Sequence, residues 1–211
     1  ASYTRNTSSW TYPWVQEMTC ISPWNSRGGH TRAGTLITRR HIIHAAHYAL
    51  HAGDQVRFVS ETNVVYTRTI VAAKTHPDYS PYYPDIRVAV LDSDLPVDIK
   101  HCKLAPSNLA DHFSDESDGH ACLLLDKEEK ALVADLYYIR RHIKYVSPSD
   151  SQRLAFSETI VGGDSGNPSF MIIGDELVLL SVRTWGGGGA GSFLGDLIPD
   201  INQLISDVDV V

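Results

Sequence analysis

Short apolar segments with a two-residue repeat run along most of the chain, and turn-forming residues separate them. Ile86, Val88 and Val90 illustrate the repeat, which places alternate side chains on one face of a strand. The predicted strands are Ala33–Thr38, His41–His44, Gln55–Val59, Val64–Ala73 and Ile86–Asp92, then His120–Asp126, Ala131–Ile143, Arg153–Phe156, Pro168–Ile173 and Leu177–Trp185. Many short strands without helical periodicity predict an all-β fold built on barrels.

The C-terminal segment has helical spacing instead. Its apolar residues are Leu197, Ile201, Leu204, Ile205 and Val208. This spacing predicts an amphipathic helix that docks its apolar face on the body of the protein.

Composition indicates a folded globular protein and argues against two kinds of partner. The 211 residues are 43% hydrophobic, which is enough for one or two domains with a core. The 25 acidic and 18 basic residues give a formal charge of -7, which argues against a nucleic-acid-binding surface. No apolar run approaches the roughly 20 residues of a membrane helix, so we expect no membrane partner either.

The three cysteines, Cys20, Cys102 and Cys122, are an odd number. At least one thiol is therefore free or paired between chains. The sequence leaves open whether Cys102 and Cys122 form a disulfide bridge. We expect the fold to depend on core packing more than on disulfides.

The segment Val161–Pro168 is the first candidate for chemistry. Ser165 lies among glycines, so the backbone can turn sharply and present the N–H groups of Gly163 and Ser165 at one point. A serine becomes a good nucleophile when a base takes its proton and when such donors stabilise the resulting oxyanion.

A histidine and an aspartate upstream have fitting contexts. His47 follows the small residues Ala45 and Ala46, and Asp85 stands between a proline-ended loop and a strand. Asp78 and Asp92 are the rival acids, but both are better interpreted as turn residues. The order His, Asp, Ser is that of chymotrypsin-type enzymes. The three-residue spacing of His41, His44 and His47 also suggests a metal site on a helix, which the β-branched pair between them disfavours.

The motifs together resemble the trypsin/chymotrypsin family of serine peptidases. His44-Ala45-Ala46-His47-Tyr48 resembles Thr-Ala-Ala-His-Cys of that family, and Asp85-Ile86-Arg87-Val88-Ala89-Val90 resembles Asp-Ile-Ala-Leu-Leu. Gly163-Asp164-Ser165-Gly166-Asn167-Pro168 resembles Gly-Asp-Ser-Gly-Gly-Pro, with Asn167 in place of a glycine. Thr184-Trp185-Gly186 resembles Ser-Trp-Gly.

The resemblance implies two packed six-stranded antiparallel β-barrels followed by a C-terminal α-helix. Residues 1–100 would form an N-terminal arm and the first barrel, and residues 101–211 the second barrel and the helix. It further implies a serine endopeptidase that needs no metal or organic cofactor and acts on a peptide or protein substrate. A protein inhibitor is a further expected partner, and the expected location is secreted or extracytoplasmic.

The resemblance also implies a role for each site residue. Ser165 would be the nucleophile, His47 the general base and then the general acid, and Asp85 the group that orients His47. Gly163 and Ser165 would supply the oxyanion hole. Substrate would bind at Thr184, Trp185 and Gly186, with Thr159 at the base of the specificity pocket.

Several neighbouring residues carry further expectations. A slip of one position would place Glu158 rather than Thr159 at the pocket base. An Arg183 that faced the cleft would attract acidic side chains, but an outward or structurally paired Arg183 is the favoured interpretation. Asp164 should turn inward and find a side chain or backbone N–H groups as partners. The hairpin tip Lys127–Lys130 is most simply solvated.

Two other functions stay open from the sequence. One is a catalytically weak or inactive protein of the same fold that only binds peptides. The other is an esterase or acyl transferase that uses the same residues.

Overall fold

Six antiparallel strands form the first barrel, which contains the segments around His47 and Asp85. The computed structural model describes residues 3–4, 13–22, 32–113, 120–185 and 189–210. The strand β1 (Tyr3–Thr4) pairs with the second barrel. The first barrel consists of β2 (Ile21–Ser22), β3 (Gly34–Leu36), β4 (His41–His44), β5 (Gln55–Val59), β6 (Val65–Thr75) and β7 (Arg87–Leu91), in the order β2-β3-β4-β7-β6-β5. The Arg57 N–H on β5 donates to Ser22 Oγ on β2 at 3.0 Å and links the two ends.

The second barrel is a closed ring of six antiparallel strands. These are β9 (His120–Leu125), β10 (Lys130–Ile139), β11 (His142–Val146), β12 (Pro168–Ile173), β13 (Glu176–Trp185) and β14 (Ala190–Ser192), in the order β9-β10-β11-β14-β13-β12. Pairing of β12 with β9 closes the ring. The short strand β8 (Lys103–Leu104) adds a parallel pair to β13. The fold is therefore mostly β with two six-stranded antiparallel barrels, as predicted.

Two helices and four 3-10 segments complete the described chain. The helices are α1 (Ser151–Leu154) and α2 (Ile198–Asp209), and the 3-10 segments are Pro13–Cys20, Ala46–Tyr48, Ser107–His112 and Leu194–Leu197. Ile201, Leu204 and Val208 of α2 are buried in the larger hydrophobic core. That core contains residues of both barrels, including Ile43 of the first and Phe170 of the second.

Most strand predictions are confirmed to within two residues, but two are wrong. The segment predicted as one strand, Ala131–Ile143, is a hairpin, because Arg140 and Arg141 adopt positive φ angles of 49° and 69°. Two consecutive positive φ angles produce the tight turn that joins antiparallel strands. The predicted strand Arg153–Phe156 instead overlaps α1, since Asp150 Oδ1 accepts the N–H groups of Gln152 and Arg153 and caps that helix.

All three cysteines are free and buried. Cys20 and Cys102 belong to the larger core, whereas Cys122 belongs to the second core cluster. The Cys102–Cys122 bridge is therefore not formed, and the Cys102 thiol donates a hydrogen bond to the Leu36 carbonyl at 3.3 Å instead.

Candidate active site

The described parts of both barrels contribute to one hydrogen-bonded chain of side chains. His47 lies in the 3-10 turn after β4, and Asp85 lies just before β7, the strand that pairs with β4. Ser165 lies in the loop before β12 of the second barrel. The pairing of β4 with β7 thus positions the histidine beside the aspartate, and packing of the barrels brings in the serine.

Asp85 is completely buried and holds His47 with two hydrogen bonds. Its Oδ1 accepts the His47 backbone N–H at 2.9 Å, and its Oδ2 is 2.5 Å from His47 Nδ1. A carboxylate only accepts hydrogen bonds, so Nδ1 carries the proton and Nε2 is free to accept one. The Asp85 N–H in turn donates to Ser192 Oγ on β14 of the second barrel at 3.2 Å.

Ser165 completes the chain. Its Oγ lies 2.8 Å from His47 Nε2, which is within reach for proton transfer. The His47 side chain is 29% exposed, so the His47–Ser165 end of this row of hydrogen-bonded side chains is open to solvent. The rival acids lie elsewhere: Asp78 donates its N–H to His76 Nδ1, and Asp92 Oδ1 accepts the Thr69 N–H.

The loop before Ser165 makes a tight turn with unpaired donors. The Asp164 N–H donates to the Val161 carbonyl at 3.2 Å, and Gly163 has a φ of 98°. Within the described chain, neither the Gly163 N–H nor the Ser165 N–H has a hydrogen-bond partner. Two free N–H groups beside a nucleophile are what an oxyanion hole requires.

Asn167, which stands where the resembled motif has a glycine, does not have a positive φ. Gly166 has the positive φ, 82°, and a side chain there would approach the Ala33 carbonyl and Ala45 N–H. The Asn167 side-chain amide donates to the Asp164 carbonyl at 3.2 Å and stabilises the turn.

Asp164 is buried and has the partners predicted for it. Its Oδ1 accepts the Lys127 N–H at 3.0 Å, and its Oδ2 accepts the Val161 N–H at 2.9 Å. Arg183 Nη1 lies 3.6 Å from the same Oδ2. Backbone donors and a buried arginine thus balance this carboxylate.

Arg183 is engaged inside the second barrel rather than facing a substrate. Its side chain is 1% exposed, and Nη2 donates to the Leu125 carbonyl. Burial lowers the pKa of the guanidinium, while the Asp164 carboxylate opposes that shift. Its neighbour Thr184 is also buried, and Trp185 ends β13. Gly186, the third predicted substrate-binding residue of this segment, lies outside the described residues.

Thr159 lines a pocket of about 320 Å³ together with Glu158, Ile160 and Tyr145. Thr159 itself is exposed. Glu158 accepts a hydrogen bond from Lys130, and that contact raises the pKa of the Lys130 ammonium. Glu158 is thus engaged by Lys130 on the surface.

Lys127 is the site residue that the sequence does not reveal. Beyond its backbone bond to Asp164, its Nζ donates to the Gly162 carbonyl at 3.0 Å. The hairpin tip was expected to be solvated, and Lys127 is indeed exposed, yet its side chain reaches the loop before Ser165. A lysine in a polar turn carries no sequence signal for such a contact, because the contact depends on tertiary packing.

The three histidines spaced three apart have different surroundings. His41 Nε2 is 2.6 Å from Asp209 Oδ1, and His44 is buried beside Arg87. His47 faces Asp85 and Ser165. Across the described ranges, no three His, Cys, Asp or Glu side chains are grouped so that they could hold a metal ion.

Comparison with known proteins does not identify a family for this chain. Neither the models of known protein families nor the curated proteins compared with this chain give a match. The two barrels are compatible with a chymotrypsin-like fold. No helix in the described part of the chain is long and apolar enough to cross a membrane.

Proposed function

We propose that the protein is a serine endopeptidase that hydrolyses peptide bonds through an acyl-enzyme. The observation that carries the proposal is the continuous chain from Asp85 through His47 to Ser165, with contacts of 2.5 and 2.8 Å. The two unpaired N–H groups of Gly163 and Ser165 support it. The order of the motifs and their resemblance to trypsin and chymotrypsin support it further.

In this proposal each side chain has one task per step. Ser165 Oγ attacks the peptide carbonyl carbon while His47 Nε2 takes the hydroxyl proton. The Gly163 and Ser165 N–H groups bind the oxyanion that forms. His47 then donates that proton to the amide nitrogen, the C–N bond breaks, and the acyl group stays on Ser165. Water, deprotonated by His47, attacks the ester, and the proton returns to Ser165 Oγ as the acid leaves.

The first test is the triad itself. Ser165→Ala and His47→Ala should each lower turnover by several orders of magnitude, because both act in the same proton transfer. The double variant should lose little more. Turnover of a peptide library by mass spectrometry measures this, with thermal unfolding to verify that the variants fold. Near-wild-type turnover in either single variant excludes the proposal.

The two rival functions give different outcomes. A protein that only binds peptides fails to react with a fluorophosphonate probe, whereas the peptidase is labelled stoichiometrically at Ser165. An esterase or acyl transferase is labelled as well but cleaves an ester panel and leaves peptides intact. The contact of 2.8 Å between Ser165 Oγ and the partly exposed His47 ring favours the peptidase over the binding protein. The location outside the cytoplasm stays a prediction.

A further inference from the structure

Lys127 contacts Gly162, Gly163 and Asp164, the three residues that directly precede Ser165. Its Nζ donates to the Gly162 carbonyl, and its backbone N–H donates to Asp164 Oδ1, each at 3.0 Å. Its aliphatic stem lies against Gly163, where an added Cβ would come within 2.9 Å of Lys127 Cδ. The turn between β9 and β10 therefore packs directly against the loop that carries Ser165.

A four-residue turn such as Val161–Asp164 allows two orientations of its central peptide group, which here joins Gly162 and Gly163. The turn from Val161 to Asp164 has the positive φ at its third residue that defines a type II turn. The type I alternative has a negative φ there and rotates the central peptide by about half a turn. In a trans peptide the C=O and N–H point in opposite directions. This rotation would thus replace the Gly163 N–H with the Gly162 carbonyl oxygen.

The bonds of Asp164 hold the ends of this turn but not its central peptide. Its carboxylate binds the N–H groups of Val161 and Lys127, and its own N–H binds the Val161 carbonyl. Among the described residues, the hydrogen bond to the Gly162 carbonyl comes from Lys127 Nζ. An ammonium donates and never accepts, so it stabilises only the orientation with the carbonyl turned toward it.

We propose that the Lys127 ammonium is a positioning group for the oxyanion hole, which keeps the Gly163 N–H turned toward the reacting carbonyl oxygen. The inference rests on the proposed acyl-transfer function. Gly163 serves it twice, because glycine adopts the positive φ and leaves room for the lysine stem. The hydrogen bond is exposed, so it biases a local equilibrium rather than holding the fold together.

Lys127→Met tests the ammonium alone. Methionine keeps an unbranched stem beside Gly163, and the backbone N–H to Asp164 is retained in any variant. Lys127→Arg keeps a cationic donor and serves as the conservative variant. Lys103→Met is the matched control, since it removes an exposed lysine that pairs with Glu176 on the same barrel.

The readout compares ligands with and without an oxyanion. A peptide aldehyde forms a tetrahedral adduct with Ser165 whose oxygen occupies the hole, whereas the corresponding peptide alcohol forms none. We expect Lys127→Met to lower kcat and to weaken the aldehyde by about tenfold, less than the roughly hundredfold typical of deleting a hole donor. KM, the affinity for the alcohol and the unfolding midpoint should stay unchanged. Lys127→Arg should recover most of the loss, and Lys103→Met should behave as wild type.

Two kinds of failure are distinguishable. If wild type labels with the fluorophosphonate and Lys127→Met matches it in kcat and aldehyde affinity, the positioning role is wrong and the peptidase stands. Equal losses for aldehyde and alcohol also overturn the role, because they indicate general damage to the cleft. If wild type neither labels at Ser165 nor prefers the aldehyde, the proposed function fails and the inference fails with it.

Discussion

Asp85 shows how one buried carboxylate determines the state of the site. It accepts both the Nδ1–H and the backbone N–H of His47, so the ring orientation and the tautomer are set together. Asp85→Asn should keep the geometry but favour the wrong tautomer, which costs on the order of 10⁴ in turnover at neutral pH.

Measuring kcat/KM against pH for this variant checks the prediction. Asp78→Asn and Asp92→Asn are the controls, and both should be mild, since neither carboxylate contacts His47. A crippled Asp78→Asn together with a nearly normal Asp85→Asn would place the orienting acid elsewhere.

His44 makes stability depend on pH in a defined direction. Burial lowers the pKa of its imidazole to about 3, and the nearby Arg87 acts in the same direction. The histidine has a pKa of about 6.5 in the unfolded chain. Between about pH 6 and pH 3 the unfolded chain therefore binds a proton at His44 and the folded chain does not. The contribution of His44 should lower the free energy of unfolding by about 1.4 kcal/mol per pH unit from about pH 6 downward and level off near pH 3.

His44→Leu should remove this component. We measure the free energy of unfolding with urea between pH 7 and pH 4. Its slope against pH should be smaller in His44→Leu than in wild type by about 1.4 kcal/mol per pH unit, which corresponds to one proton. His51→Leu is the control, because His51 is exposed. An unchanged slope in His44→Leu would contradict the neutral, buried state of the imidazole.

At the scale of elements, α2 couples the C-terminal segment to the first barrel. Its buried face packs into the larger core, while Asp200, Asp207 and Asp209 contact His76, Lys74 and His41. Leu204→Ala should lower the free energy of unfolding by about 2–5 kcal/mol, because it leaves a cavity in that core. Asn202→Ala, on the exposed face, should change it by less than about 0.5 kcal/mol. Chemical denaturation measures both, and equal effects would mean that α2 is not docked as described.

The elements also show what a sequence can and cannot predict here. Five of the six strands of the first barrel, β3 to β7, and α2 were predicted to within about two residues, because apolar residues repeat along them, whereas the two-residue strand β2 was not predicted. The turn at Arg140 and Arg141 was missed, because arginines give no signal for positive φ. Motif order predicted the three residues that the fold brings together. The contacts of Lys127 and Arg183 were not predictable, since each joins segments distant in sequence.

At the scale of the whole molecule, the site depends on how the two barrels pack. His47 and Asp85 come from the first barrel and Ser165 from the second, and Asp85 also reaches Ser192 on the second. In members of the trypsin/chymotrypsin family, which the motifs resemble, a newly cut amino terminus pairs with the aspartate before the nucleophile. Here the Asp164 carboxylate has Lys127, Val161 and Arg183 around it, all from the second barrel.

We therefore predict that the turn from Val161 to Asp164, before Ser165, forms without cleavage at the amino terminus. Acetylating the α-amino group or extending the chain before Ala1 should leave kcat/KM within about twofold of wild type, because Asp164 already has its partners. Arg183→Met should instead destabilise the fold by about 3–5 kcal/mol, since it removes the cation beside a buried carboxylate. Peptide hydrolysis before and after removal of a cleavable extension measures the first effect, and urea unfolding the second. Activity that appears only when Ala1 is exposed would show that the amino terminus, and not Arg183, is the partner on which the loop depends.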